Sequence, residues 1–188
     1  YEKKLLTYPR TDSQFITDDM EDTARQVIFI VCRQLPLFTD VSVTPDIARV
    51  TDNSKVTDHH AILPTVQLEK QDVSALPQSE QKILNLVGMR LLCATGEKHT
   101  YAETQITLFC ESYEFKTKGK TVVQNGWKSI EELFKASLKT KEKDDPMKSL
   151  PEVHEGDVLD SVSASVTEHF TTPPKQYTED TLLSAMET

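Results

Sequence analysis

The spacing of apolar residues changes once along this chain, and that change limits the folds open to it. Up to about residue 96, apolar side chains recur at helical intervals. In ITDDMEDTARQVIFIVCRQ, Met20, Ala24, Val27, Ile28 and Val31 fall on one face, and acids crowd the first turn. The spacing predicts a helix over about 18–34, with Asp18 and Glu21 placed as a capping box. PQSEQKILNLVGMRLLCATG predicts a second helix. Ser79 or a neighbour caps it, Ile83, Val87, Leu91 and Ala94 form its stripe, and Gly96 stops it. After about residue 98 the interval becomes two. Ala102, Thr104, Ile106, Leu108 and Cys110 alternate with more polar positions, as do Val158, Val162, Ala164 and Val166. YEFKTKGKTVVQNGW reads as a hairpin turning at Lys118-Gly119-Lys120, with Trp127 in the core of the β region. An α+β protein is expected, its first half helical and its second half antiparallel β.

The remaining stretches are punctuation. Residues 35–65 read mainly as loop, with brief strands possible at Ala48 to Val50. LKTKEKDDPMKSLP, residues 138–151, is charged and poor in apolar residues, which predicts a mobile insertion. TTPPKQ breaks the chain, and YTEDTLLSAMET starts another helix. The expected domains are 1–97, 98–170 and 171–188. No internal repeat is present.

Composition narrows the class. With 188 residues there is room for one large domain or two small ones, and 37% hydrophobic content supports a buried core. No apolar run approaches the roughly 20 residues that span a bilayer, and the chain does not open on a signal-peptide pattern. Cys32, Cys93 and Cys110 form no CxxC pair and support neither a zinc knuckle nor a disulfide framework. They are expected as buried, reduced thiols. A net charge of −9 argues against a protein that coats nucleic acid with a basic surface. Any contact with DNA requires Lys and Arg focused in one cleft, or supplied by other segments.

Two short motifs carry chemistry. In LLTYPRTDS, Tyr8 precedes a proline and is pushed toward extended backbone. Alternation then places Tyr8, Arg10 and Asp12 on one face. A guanidinium beside a phenol favours the phenolate and grips a phosphate through two parallel hydrogen bonds. Asp12 is positioned to hold Arg10. That set suits attack by Tyr8 on a phosphodiester, although a tyrosine near an arginine is usually a surface hydrogen bond. The second motif, TDHHAILPT, holds His59 and His60 in a loop. Adjacent side chains in extended chain diverge, so both do not reach one atom. A metal site would need more ligands than the scattered His99, His154 and His169. An anion contact and a solvated pair both remain open. Lys116, Lys118 and Lys120 read as a solvated hairpin face or as a track for a DNA backbone.

YEKKLLTYPRTDS, DHHAILPT and FTTPPKQYTEDTLLSAMET occur in the order and approximate spacing of the type IA DNA topoisomerases, and the chain most resembles their topoisomerase III branch. The resemblance covers essentially the whole chain. It implies that Tyr8 is the nucleophile, that Arg10 contacts the scissile phosphate region, and that His59 lies near the active-site phosphate. Thr11, Asp12 and His60 are supporting candidates. His60 stands where many bacterial topoisomerase I sequences have glutamate, and Leu63 where they have arginine. The resemblance further implies a winged-helix or CAP-like tyrosine domain, followed by part of a β arch. Single-stranded or underwound DNA would be the partner, cut through a 5′-phosphotyrosyl link without ATP. It implies Mg2+ held by a toprim domain outside this chain, other topoisomerase domains in cis, a bacterial cytoplasmic (nucleoid) setting, and an excised portion that is inactive alone. Two other classes compete. One is a DNA-binding module without chemistry. The other is a tyrosine relaxase or replication initiator, which needs histidines flanking a hydrophobic residue, a spacer that His59-His60 lacks.

Overall fold

A computed structural model describes residues 2–138, 150–159, 163 and 165–186. The chain divides into two compact units, Tyr1–Leu150 and Pro151–Thr188. The first unit carries nearly all the regular structure: helices α1 (Glu21–Gln34), α2 (Gln78–Thr95) and α3 (Lys128–Ser137), and the antiparallel pair β1 (Thr100–Cys110) and β2 (Tyr113–Gln124). Among its described residues, helices with one antiparallel pair make it α+β, as expected.

Helix α1 buries Ala24, Val27, Ile28, Ile30 and Val31, which includes most of the face expected from its spacing. The capping box does not form. A 3-10 turn, Asp18–Met20, precedes the helix, and its cap, Thr17, makes no side-chain bond. The Asp18 N–H is instead satisfied by Asn53 Oδ1 at 2.9 Å. The helix ends at Leu35, an extended residue before Pro36.

Between Pro36 and α2 the expected loop is a series of 3-10 turns: Pro36–Phe38, Ile47–Val50, Asn53–Lys55, Val66–Lys70 and Val73–Ala75. Four of them each bury one apolar anchor, namely Phe38, Ile47, Leu68 and Val73. Asp52, Thr65 and Asp72 cap three of them by accepting the N–H two residues on. The segment expected as a brief strand, Ala48 to Val50, lies inside one of these turns.

Helix α2 differs from expectation in its cap and in its face. Pro77, rather than Ser79, precedes its first residue. Leu84, Gly88, Met89, Leu91, Leu92 and Thr95 are buried, whereas Ile83 is 52% exposed. Two stripes in this sequence have helical spacing, and the one containing Gly88 faces the core. A Cβ on Gly88 would lie 2.9 Å from Leu35 Cδ1 and 3.1 Å from Val31 Cγ1, so a missing side chain sets how closely this helix and α1 meet. Gly96 follows α2 as expected.

The hairpin turns at Glu111-Ser112, not at Lys118-Gly119-Lys120. Cys110 pairs with Tyr113, and Gly119 sits mid-strand opposite Thr104. Glu111 supplies the left-handed residue the turn needs, with φ of 53°. Trp127 is not in a β core either. It caps α3, a helix absent from the sequence reading, which docks through buried Ile130 and Phe134. The Trp127 N–H donates to the Glu97 carbonyl at 2.9 Å, tying α3 to the end of α2. Gly126 makes this junction possible: its φ is 52°, and an added Cβ would meet the Lys98 carbonyl oxygen at 2.3 Å.

Among the described residues of the second unit the one helix is α4 (Glu179–Met186), where the sequence placed it. Thr178 and Thr181 exchange backbone-to-hydroxyl bonds at 2.8 and 3.2 Å, the reciprocal pattern of a capping box. The strand expected from Val158 to Val166 is absent from the described residues of that stretch. Val158 and Val166 are 80% and 99% exposed. Alternation alone makes no strand without a neighbour to pair with. Residues 160–162 and 164 lie outside the described residues, as do 139–149, most of the charged stretch expected to be mobile.

Candidate active site

The two motifs are zipped together. The Thr7 N–H donates to the Leu63 carbonyl (2.9 Å), and the Leu63 N–H returns to Thr7 Oγ1 (2.9 Å). The Thr65 N–H donates to the Leu5 carbonyl (3.0 Å), and Leu6 and Pro64 form an antiparallel bridge. Farther along, the Ala61 N–H donates to Phe15 (2.9 Å). Leu5, Leu63 and Ile16 are buried and fasten this pair of segments to the core. The chemistry-bearing side chains lie on the other side, toward solvent.

Tyr8 is 42% exposed, and its ring centroid lies 4.9 Å from that of His59, with the planes tilted by 54°. Thus a phenol from the first motif and an imidazole from the second, 51 positions apart, meet at the surface. Thr11 holds this approach in place. Its Oγ1 donates to the His59 carbonyl (3.0 Å) and accepts from the Ser13 N–H (3.0 Å). Ser13 adds a further tie, its Oγ donating to the Lys55 carbonyl at 2.7 Å. Thr7 and Ser13 were not singled out from sequence. The run of hydroxyls Thr7, Thr11 and Ser13 flanking Tyr8 was the signal for them.

The other candidates divide. Arg10 is exposed two residues from Tyr8, and Asp12 is exposed as well. No ion pair joins them among the described residues, so Asp12 does not hold Arg10. The backbone bends at Pro9 and again at Asp12, which breaks the alternation that would align Tyr8, Arg10 and Asp12. His60 is half-buried, and its Nδ1 lies 2.7 Å from the Ala61 carbonyl. A carbonyl can only accept, so that nitrogen carries a proton. His60 therefore braces the loop while His59 faces the phenol.

Among the described residues no group of three or more His, Cys, Asp or Glu side chains could hold a metal ion. No described helix is long and apolar enough to cross a membrane. Lys116 reaches Glu114 at 3.1 Å, while Lys118 and Lys120 approach Glu103 at 3.6 and 3.8 Å. Acids on the ribbon therefore offset much of its basic face. The cysteines are unpaired. Cys32 and Cys93 are half-buried, but Cys110 is exposed, contrary to expectation. Burial raises the Cys32 thiol. Burial pushes Cys93 up to about 11, with Glu131 adding to the rise and Arg90 opposing it.

A family model described as DNA topoisomerase matches residues 1–188. The chain is 35% identical over 189 residues to the DNA topoisomerase 3 of Bacillus licheniformis and 34% identical over 189 residues to that of Bacillus subtilis. It is also 34% identical over 192 residues to the DNA topoisomerase 3 of Staphylococcus saprophyticus. These matches take in 98%, 98% and 100% of this chain and 25% of each relative, so the chain spans about a quarter of their length.

Proposed function

The chain belongs to the DNA topoisomerase family, and from that premise we propose that it supplies the nucleophile of a type IA enzyme of the topoisomerase III branch. The observation that carries the reading is the exposed Tyr8 ring beside the His59 ring, fixed by Thr11. Tyr8 Oη attacks the phosphorus of a phosphodiester in single-stranded or underwound DNA. The P–Oη bond forms and the P–O3′ bond breaks. The phenolic proton leaves, and the departing oxygen takes one up to become a 3′-hydroxyl. The product is a 5′-phosphotyrosyl link that keeps the energy of the cut bond, so resealing requires no ATP. Reversal by the 3′-hydroxyl follows strand passage and completes relaxation or decatenation.

His59, next to the phenol, and Arg10, two residues on, bind the phosphate and stabilise the charge that develops on it. Thr11 is a positioning residue, acting through the His59 backbone. We place the ligands of the Mg2+ that the type IA resemblance implies in a toprim domain elsewhere in the complete enzyme; among the described residues here no group of three or more His, Cys, Asp or Glu side chains could hold a metal ion. The gate through which the second strand passes likewise needs domains beyond a quarter of the relatives' length. A bacterial cytoplasmic setting at the nucleoid is consistent with these relatives.

Tyr8→Phe in a full-length protein containing this chain tests the reading. Loss of the covalent DNA adduct, with oligonucleotide binding retained, is the expected result. Adduct formation at the wild-type level by the phenylalanine variant would sink it and favour a module that binds DNA without chemistry.

A further inference from the structure

The segments that carry Tyr8 and His59 also wall a concavity of about 520 Å³. Gln14 and Ile16 line it from the first segment and Ala61 to Leu63 from the second. Arg49, on the turn Ile47–Val50, and Arg90, on α2, line it as well. Its lining holds these two guanidinium groups and no carboxylate. That placement is selective in a chain with 30 acidic and 21 basic residues. Arg33, by contrast, pairs with Glu69. Neither Arg49 nor Arg90 joins an ion pair among the described residues.

Arg49 is also held in position. Its Nη1 donates to the Gly96 carbonyl at the end of α2. A guanidinium has five N–H donors in a rigid fork, so that bond leaves donors for a ligand. Two such groups around apolar walls suit the oxygens of a phosphodiester, which takes paired N–H bonds. Ala61 to Leu63 lie two to four residues from His59, a chain reach of at most about 14 Å. We propose that this concavity binds a backbone phosphate of the strand that Tyr8 cleaves, a few nucleotides from the scissile bond. The proposal rests on the reading of the chain as a DNA-strand enzyme.

The test is fluorescence anisotropy of a labelled mixed-sequence 16-nucleotide single strand titrated with the 188-residue chain across a salt series. Each phosphate contact on a single strand contributes about 0.7 to the slope of log K against log salt. Arg90→Gln on the exposed face of α2 should lower that slope by about 0.7 and weaken binding roughly eightfold at 50 mM salt. Arg49→Gln should do the same, with a thermal melt to confirm folding. Arg25→Gln, an exposed arginine on α1 outside the concavity, is the control and should leave the slope unchanged. An unchanged slope for Arg90→Gln, or an equal loss for Arg25→Gln, overturns the proposal while leaving the Tyr8 chemistry standing. Arg90-dependent binding of inorganic phosphate with no Arg90 dependence for the oligonucleotide also overturns it, marking a free-anion site. No binding of the single strand by the wild-type chain overturns it too. The Tyr8→Phe adduct assay judges the nucleophile separately in every case.

Discussion

Replacing Thr11 by valine removes one hydroxyl and almost no volume. That hydroxyl makes two bonds at 3.0 Å, donating to the His59 carbonyl and accepting from the Ser13 N–H. Thr11 is half-buried, so water replaces part of what is lost, and each bond falls in the range of about 0.5–1.5 kcal/mol. The expected destabilisation is about 1–2 kcal/mol, roughly 3–6 °C in melting temperature for a chain of this size. Thr11→Ser keeps the hydroxyl and should recover most of the loss. The functional consequence separates a positioning role from a merely structural one. In a full-length protein containing this chain, Thr11→Val should slow adduct formation at saturating DNA, and Thr11→Ser should restore it. The assays are a urea or thermal melt of the chain and a single-turnover adduct time course. A Thr11→Val variant with wild-type stability and wild-type adduct rate would refute the claim that this hydroxyl fixes His59 against Tyr8.

Other outcomes follow from particular contacts. Gly126→Ala should destabilise the chain by about 2–3 kcal/mol in urea, combining left-handed strain with loss of the Trp127 to Glu97 bond. A loss below about 0.5 kcal/mol would show that α3 docks independently of that turn. Cys93 holds its proton more tightly in the folded state, its pKa rising from 9.0 to about 11. Its contribution to stability is therefore intact below pH 9 and is lost as pH rises through about 11. Cys93→Ala should flatten that part of the stability–pH curve. A thiol reagent at pH 8 should label exposed Cys110 well before Cys93. The chain alone should not relax supercoiled plasmid, as judged by agarose gel, because it spans a quarter of its relatives' length and holds no described metal cluster.

Strong local signals carried over from sequence to structure. The face of α1 was legible because its apolar residues have one consistent spacing, and α4 because the proline-rich break TTPPKQ precedes it. Tyr8 and His59 were each singled out in a short motif, but only the resemblance to type IA topoisomerases implied that both lie near one phosphate, and nothing in the sequence gave their 4.9 Å separation. Competing signals misled elsewhere. Two stripes on α2 fit the helical period, and only the need to seat Val31 and Leu35 against Gly88 chooses between them. Gly119 resembled a turn residue, yet the hairpin register puts it mid-strand and asks Glu111 to take the left-handed conformation. The 3-10 turns between the first two helices are too short to show a period at all. Helix α3 was missed although Ile130, Leu133 and Phe134 have helical spacing, because Trp127 and the preceding valines drew the segment into the β reading.

The most direct measurement of the central claim uses one oligonucleotide labelled at either end, incubated with a full-length protein containing this chain and then denatured. A 3′ label should migrate with the protein and a 5′ label should not, and the labelled peptide should map to Tyr8. Transfer of the 5′ label, or attachment at any other residue, would contradict the account.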